Sequence, residues 1–176
     1  MATCLSPGPV SVLDLGSSGG VPGLILALSR PESTVILLDS RRRACQFLGA
    51  TVVELGIAGR VEVSEGRAEA AARQPPLREA QDVVVARSFG PPAVTAECAA
   101  GFLRLGGRLI VSEPPGGQAG TAEGRWDRTG LEELGLTEPV AHRTADGSFV
   151  VLVKDRLDSR WPRRVGIPAK RPLWSS

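Results

Sequence analysis

Val12-Leu-Asp-Leu-Gly16-Ser-Ser-Gly-Gly-Val-Pro-Gly23 is the stretch whose reading decides the fold. Residues 10–15 form a short apolar run that ends in glycine-rich sequence, the pattern of a buried strand running into a tight turn. Residues 21–29 (VPGLILALS) are apolar nearly all round, as expected of a short helix packed on a sheet, with Pro22 tolerated in its first turn. A glycine turn therefore joins a strand to a helix. Its glycines stand where backbone must approach a ligand closely or take positive φ. Ser18 occupies the place of the second glycine in a Gly-x-Gly-x-x-Gly fingerprint, which weakens a dinucleotide reading.

Working outward, residues 34–39 (TVILLD) make a second strand, and Ser40 offers an N-cap to a helix whose apolar positions run from Ala44 to Leu55, with Gly56 closing it. Asp39, at the end of that strand and 23 residues after Gly16, is where a carboxylate can accept both ribose hydroxyls of an adenosine moiety. Its other role would be to cap the following helix. Residues 60–63 read as a third strand, 68–73 as a short alanine-rich helix, 82–86 as a fourth strand, 93–103 as a helix, and 107–112 as a fifth strand entered through Gly106-Gly107. Strand and helix alternate throughout, which implies a parallel sheet with right-handed crossovers and a ligand at the carboxyl ends of its strands.

After a polar, glycine-rich loop over residues 114–124 the pattern changes. A short helix ends at residues 131–134, and runs at 140–144 and 148–154 flank Ala145-Asp146-Gly147, a hairpin signal. The expected fold is α/β: a mostly parallel seven-stranded sheet with an antiparallel C-terminal hairpin and helices on both faces. That is the Rossmann-like architecture of class I S-adenosylmethionine-dependent methyltransferases rather than of nicotinamide dehydrogenases.

With 176 residues and 42% hydrophobic content, the chain matches one domain over residues 1–176, with a flexible start at 1–9 and a basic tail at 155–176. The opening MATCLSPGPV has neither the basic start nor the apolar core of a signal peptide, and no apolar run approaches a membrane span, so a cytoplasmic protein without a membrane partner is expected. Cys4, Cys45 and Cys98 are odd in number and widely spaced, which indicates neither a disulfide framework nor a metal site. His142 falls in a late strand with nothing to pair with it, and reads as structural. Net charge is +2, but residues 154–173 hold seven basic residues against two acids, so this segment carries +5 and the rest −3. A mildly acidic body with a basic ending suits a phosphate-backbone partner, since each neutralised phosphate releases counterions; the plain alternative is a solvated tail.

Taken together, VLDLGSSGGVPG, LLDSRRRACQFL, EGRAE, VVVARSF, GGRLIV and above all RWPRRVGIPAKRPL resemble the small-subunit (16S) ribosomal RNA guanine-N7 methyltransferases, the glucose-inhibited division protein B family. The resemblance runs from about Val12 to Leu173, and its most specific part is the arginine-rich ending with Gly166, Pro168 and Lys170. It implies S-adenosyl-L-methionine lying against Gly16 and Val21 in a turn that includes Ser18 and Gly20, and S-adenosyl-L-homocysteine as product. It implies Asp39 on the ribose, Ala68 and Glu69 beside the adenine, and Arg87 facing the cofactor or the target base as a positioning group. Asp14 is a candidate for the methionine amino group or for ordering the turn. It implies a 16S rRNA or small-subunit substrate, methylated in the 530 loop by analogy with the family, with Arg160, Arg163, Arg164, Lys170 and Arg171 on phosphates. Trp161 and Trp174, interleaved with these cations, either stack bases or pin the tail to the body. Guanine N7 carries a free lone pair, so no general base is expected and positioning carries the catalysis.

Three features depart from that pattern: relatives carry a helical segment of several dozen residues before the first strand, Ser18 replaces a motif glycine, and Glu113 stands where relatives place a lysine. They keep other readings open: a catalytically weakened cofactor- or RNA-binding relative, a methyltransferase of small molecules, and, with least support, a nicotinamide-dependent oxidoreductase. Exposed apolar surface left by a short start would favour a dimer, so monomer and dimer both stand.

Overall fold

The computed structural model describes residues 7–113, 125–144 and 147–175. Residues 114–124, expected as a loop, and Ala145-Asp146, expected in the hairpin turn, lie outside the described residues. Strands and helices alternate as β1 (Ser11–Leu15), α1 (Gly23–Ser29), β2 (Thr34–Asp39), α2 (Arg42–Glu54), β3 (Val61–Glu65), α3 (Ala68–Ala71), β4 (Gln81–Ala86), α4 (Pro92–Ala100) and β5 (Leu103–Ser112). Then come α5 (Arg128–Leu134), β6 (Val140–Thr144), β7 (Gly147–Val153) and α6 (Ile167–Lys170). The seven-stranded sheet has the order β3-β2-β1-β4-β5-β7-β6, parallel from β3 to β5 and antiparallel at β7 and β6.

Both faces of the central strands are covered, which is why they read as continuous apolar runs rather than alternating ones. Leu13, Leu15, Val84 and Ala86 face a core built with α3, α4 and α5; Val12, Val35, Leu37, Val83 and Val85 face a second core with α1 and α2. Beside the start of β5, the fully buried Lys154 donates from Nζ to the Leu134 carbonyl at 2.6 Å, satisfying an end of α5.

Three local expectations are corrected. Ser40 does not cap α2: the N-cap is Arg41, without a side-chain cap bond, and its N–H donates to the Asp39 carboxylate at 2.8 Å. The fourth helix stops at Ala100, not at residue 103, because Gly101 and Phe102 turn the chain, with the Phe102 N–H on the Ala99 carbonyl. The fifth strand consequently starts at Leu103; its register against β4 jumps between Gln81 and Val83, and a bulge containing Gly106 (φ +77°) absorbs the extra residues.

The segment from residue 155 onward, expected as a basic tail, packs against the body as a strap. The Trp161 Nε1–H donates to the Glu133 carbonyl and the Trp174 Nε1–H to the Arg125 carbonyl, both at 2.9 Å, with both rings buried. Gly130 is where α5 lets the Trp174 ring in, since any Cβ there would collide with it. Of the two roles left open for these tryptophans, pinning is the one the geometry holds. The Arg163 guanidinium grips Glu97 with both arms (2.9 and 2.6 Å) while the Arg163 N–H donates to the same carboxylate at 2.8 Å. Glu97 is fully buried in α4 and the Arg163 side chain is 27% exposed. Removing one partner of a buried pair strands the other. Glu97→Ala is therefore expected to lower unfolding free energy in urea by roughly 2–3 kcal/mol, less than the roughly 3–5 kcal/mol of a fully buried pair because Arg163 is part-solvated.

Candidate active site

The strand order reverses direction between β1 and β4, so the loops leaving the carboxyl ends of β1, β2, β3 and β4 converge on one crevice. A cavity of roughly 800 Å³ lies there, within the usual range for a small-molecule or cofactor site.

Its floor is the glycine turn. The Gly16 and Ser17 N–H groups both donate to the Leu38 carbonyl (2.9 and 3.0 Å), and the Ser18 N–H donates to Asp39 Oδ2 at 2.8 Å. Gly16 and Ser18 both take positive φ, +76° and +50°. Ser18 thus holds a left-handed conformation that glycine adopts more easily, fixed by the Asp39 bond. Gly16 also has a packing reason, because an added Cβ would sit 2.7 Å from the Phe89 ring. Over Gly19 and Gly66, by contrast, an added Cβ would meet nothing within 4 Å, so bare peptide faces open space on two walls of the cavity.

Gly16, Ser18, Val21, Asp39, Ala68, Glu69 and Arg87 all line this cavity. Asp14 and Gly20 do not. Asp14 is buried under the turn, its Oδ2 accepting the Gly23 N–H at 2.9 Å while its own carbonyl accepts the Ser17 hydroxyl. Of its two expected roles the geometry provides the ordering one. Gly20 (φ +86°) shapes the same turn, with its missing Cβ leaving room for Leu24. Burial pushes the Asp14 carboxyl up to about 6, against the lowering effect of the Gly23 and Ser17 hydrogen bonds.

The two cavity acids are already partnered. Burial would raise Asp39, but hydrogen bonds from the Arg41 side chain and from the Arg41 and Ser18 N–H groups outweigh it and hold the carboxyl below its ordinary range. Glu69 is likewise raised by burial and lowered further by Arg67 (3.0 Å) and the Gly166 N–H (2.9 Å). Glu69 thereby ties the strap to the cavity wall, and Ala169 and Pro172 of the strap complete that wall. Arg87 follows the last residue of β4, is exposed at the cavity, and its side chain makes no hydrogen bond or ion pair among the described residues. Glu113 does not reach the cavity lining; it accepts from Arg125 and from the Trp126 Nε1–H. Among the cations of the strap, Arg163 is engaged by Glu97 and Arg160 by Asp158, while Arg164, Lys170 and Arg171 are exposed without side-chain partners among the described residues. His142 lies exposed on the edge strand β6, away from the site.

A family model described as rRNA small subunit methyltransferase G (GidB) matches residues 1–113. The chain belongs to that family. It is 38% identical to the ribosomal RNA small subunit methyltransferase G of Thermotoga neapolitana over 93% of this chain and 71% of that one. It is 37% identical to the protein of the same name from Deinococcus deserti, over 99% of this chain and 75% of that one. Among solved structures, an O-methyltransferase family protein from Burkholderia thailandensis superposes with a TM-score of 0.63 at 16% identity, covering 85% of this chain and 52% of that one. A SAM-dependent methyltransferase from Aquifex aeolicus does so with 0.57 at 17% identity, covering 82% and 81%. These confirm the Rossmann-like class I methyltransferase fold. Among the described residues no helix is long and apolar enough to cross a membrane, and no cluster of metal-ligating side chains occurs.

Phe89, Pro91, Arg41 and Arg67 also line the cavity, and sequence reasoning did not single them out. The first two follow β4 directly and were within reach of the strand-end rule; Ala169 and Pro172 carried no signal, because their place depends on contacts made about a hundred residues away in sequence. The Asp14 geometry has a measurable consequence. Its folded carboxyl lies above its unfolded value, so the native state binds the extra proton between pH about 4 and about 6 and loses stability as pH rises through that window. Asp14→Asn keeps an acceptor for the Gly23 N–H and is expected to abolish that decline when urea unfolding is followed from pH 4 to 7.

Proposed function

We propose that this chain transfers a methyl group from S-adenosyl-L-methionine to N7 of a guanine in 16S ribosomal RNA. The observation that carries the reading is the cavity itself: peptide bare of side chains at Gly19 and Gly66, a carboxylate at the end of β2, and an unpartnered arginine at the end of β4. The donor set fits an adenosyl group: Asp39 for the ribose hydroxyls, Ala68 and Glu69 beside the base, and the backbone of residues 16–19 with Val21 along the methionine end. Bound there, the cofactor supplies an electrophilic methyl group on a sulfonium.

The chain's own residues then have two tasks, to hold the partners in line and to exclude water. N7 attacks with a lone pair and loses no proton first, so no base need be poised. The cavity lining contains no histidine, lysine, tyrosine or cysteine among the described residues, which suits that chemistry. Arg87 can donate to guanine O6, fixing the base while leaving N7 free. Positioning of this kind supplies up to roughly 7–11 kcal/mol of barrier reduction. The ribosomal substrate is supported by the names of the relatives and by the exposed cations Arg164, Lys170 and Arg171, the last two lying in the chain between the strap residues Ala169 and Pro172 that line the cavity.

Transfer of tritiated methyl to small-subunit particles tests the reading. Arg87→Ala is expected to lower kcat/KM about 100-fold with cofactor affinity nearly intact, and Asp39→Asn to weaken cofactor binding roughly 10–100-fold through lost charge-assisted bonds. Absence of any Arg87-dependent incorporation would overturn it. For the RNA surface, Lys170→Glu combined with Arg171→Glu is expected to weaken RNA binding at every sequence tested and to flatten the log–log salt dependence by about 2, as read by filter binding at several salt concentrations.

A further inference from the structure

The Asp39 carboxylate has about four acceptor places on its two oxygens, and all are filled. Oδ2 accepts the Ser18 N–H at 2.8 Å and Arg41 Nη2 at 3.3 Å; Oδ1 accepts the Arg41 N–H at 2.8 Å and Arg41 Nε at 3.2 Å. The two short bonds come from backbone that the fold fixes, one in the glycine turn and one at the N-cap of α2. The two long ones come from a guanidinium whose side chain is 64% exposed. A ribose diol needs two acceptor places on this carboxylate, and only the guanidinium can vacate them.

We propose that Arg41 is an internal counter-ion that occupies the diol's place on Asp39 in the free protein and leaves it when an adenosyl ligand binds, so that Arg41 sets the affinity and the salt dependence of cofactor binding. This rests on the reading of Asp39 as the ribose acceptor. The exchange is balanced: two N–H donors of the guanidinium pass from the carboxylate to water, and two ribose O–H donors pass from water to the carboxylate. No proton changes owner, and Asp39 stays ionised in both states.

The setting makes departure cheap. Arg41 caps the positive end of the thirteen-residue helix α2, is followed by Arg42 and Arg43, and has no acid in the first turn to hold it. Cations are disfavoured at that end of a helix, so the carboxylate alone retains the guanidinium. The pair is also solvent-facing on the arginine side, where screening leaves exposed ion pairs weak. Arg41 lines the cavity, so the site loses nothing to steric rearrangement elsewhere when the side chain swings outward.

Calorimetric titration with S-adenosyl-L-homocysteine tests this. That ligand is a zwitterion of zero net charge, so salt acts on the protein's pair rather than on attraction of the ligand. At about 50 mM NaCl, Arg41→Met is expected to bind roughly two- to fivefold tighter than wild type. Raising NaCl to about 500 mM is expected to tighten wild type towards the variant and leave the variant unchanged. Arg41→Lys, which keeps the charge but not the fork, falls between, and a 2′,3′-dideoxy analogue, which needs no acceptor places, gains nothing from Arg41→Met. Equal or weaker binding by Arg41→Met with no salt effect in wild type overturns the exchange and makes Arg41 neutral or a ligand contact. Asp39→Asn separates the two claims: if it binds as wild type does, the ribose reading of Asp39 fails and the exchange with it; if it binds weakly while Arg41→Met does not tighten, only the exchange fails.

Discussion

Everything at the crevice depends on how the turn after β1 is docked to the end of β2. Successive N–H groups of Gly16, Ser17 and Ser18 reach across to the Leu38 carbonyl and the Asp39 carboxylate. From the other side, buried Asp14 takes the Gly23 N–H at the start of α1. Donors of the turn that would otherwise be orphaned inside the protein are thus satisfied by one neighbouring strand end. Gly19 lines the cavity with open space where a side chain would stand. A turn fixed in this way needs no rearrangement to receive a ligand, and a preformed site loses little ordering entropy on binding.

Carboxylates also hold the strap. Glu69 in the cavity lining and Glu97 in α4, both buried, accept from the Gly166 N–H and from Arg163. The strap therefore does two things at once. Ala169 and Pro172 complete the cavity lining, and the cations Arg164, Lys170 and Arg171 are exposed. A charge-rich ending that looks uniform in sequence is divided by the fold into arginines paired with carboxylates and cations whose side chains are exposed without partners among the described residues.

Much of this was legible in the sequence. The strand-turn-helix at Val12 to Gly23, the alternation through residue 112 and the late hairpin define the architecture, because buried parallel strands and their glycine turns write strong local signals. Boundaries were harder where two signals overlapped: Gly101 lies between α4 and β5 but Gly106 lies within β5, and only the pairing of Leu103 with Gln81 shows where the strand begins. At the site, the residues on strand-end loops were readable and lie together at the cavity. Asp14 was ambiguous because a carboxylate two residues before the turn can face either the ligand or the helix behind it, and only the position of the Gly23 N–H decides. The division of labour among the arginines of the strap was illegible, since it depends on Glu97 and Asp158, one of them far away in the chain.

The most direct test is a crystal structure of the protein grown with S-adenosyl-L-homocysteine. The adenosyl group is expected in the crevice between the ends of β1 and β4, with both ribose oxygens within hydrogen-bond distance of Asp39 and its sulfur facing the Arg87 side of the cavity. Density for the ligand elsewhere, or a ribose held by groups other than Asp39, would contradict it.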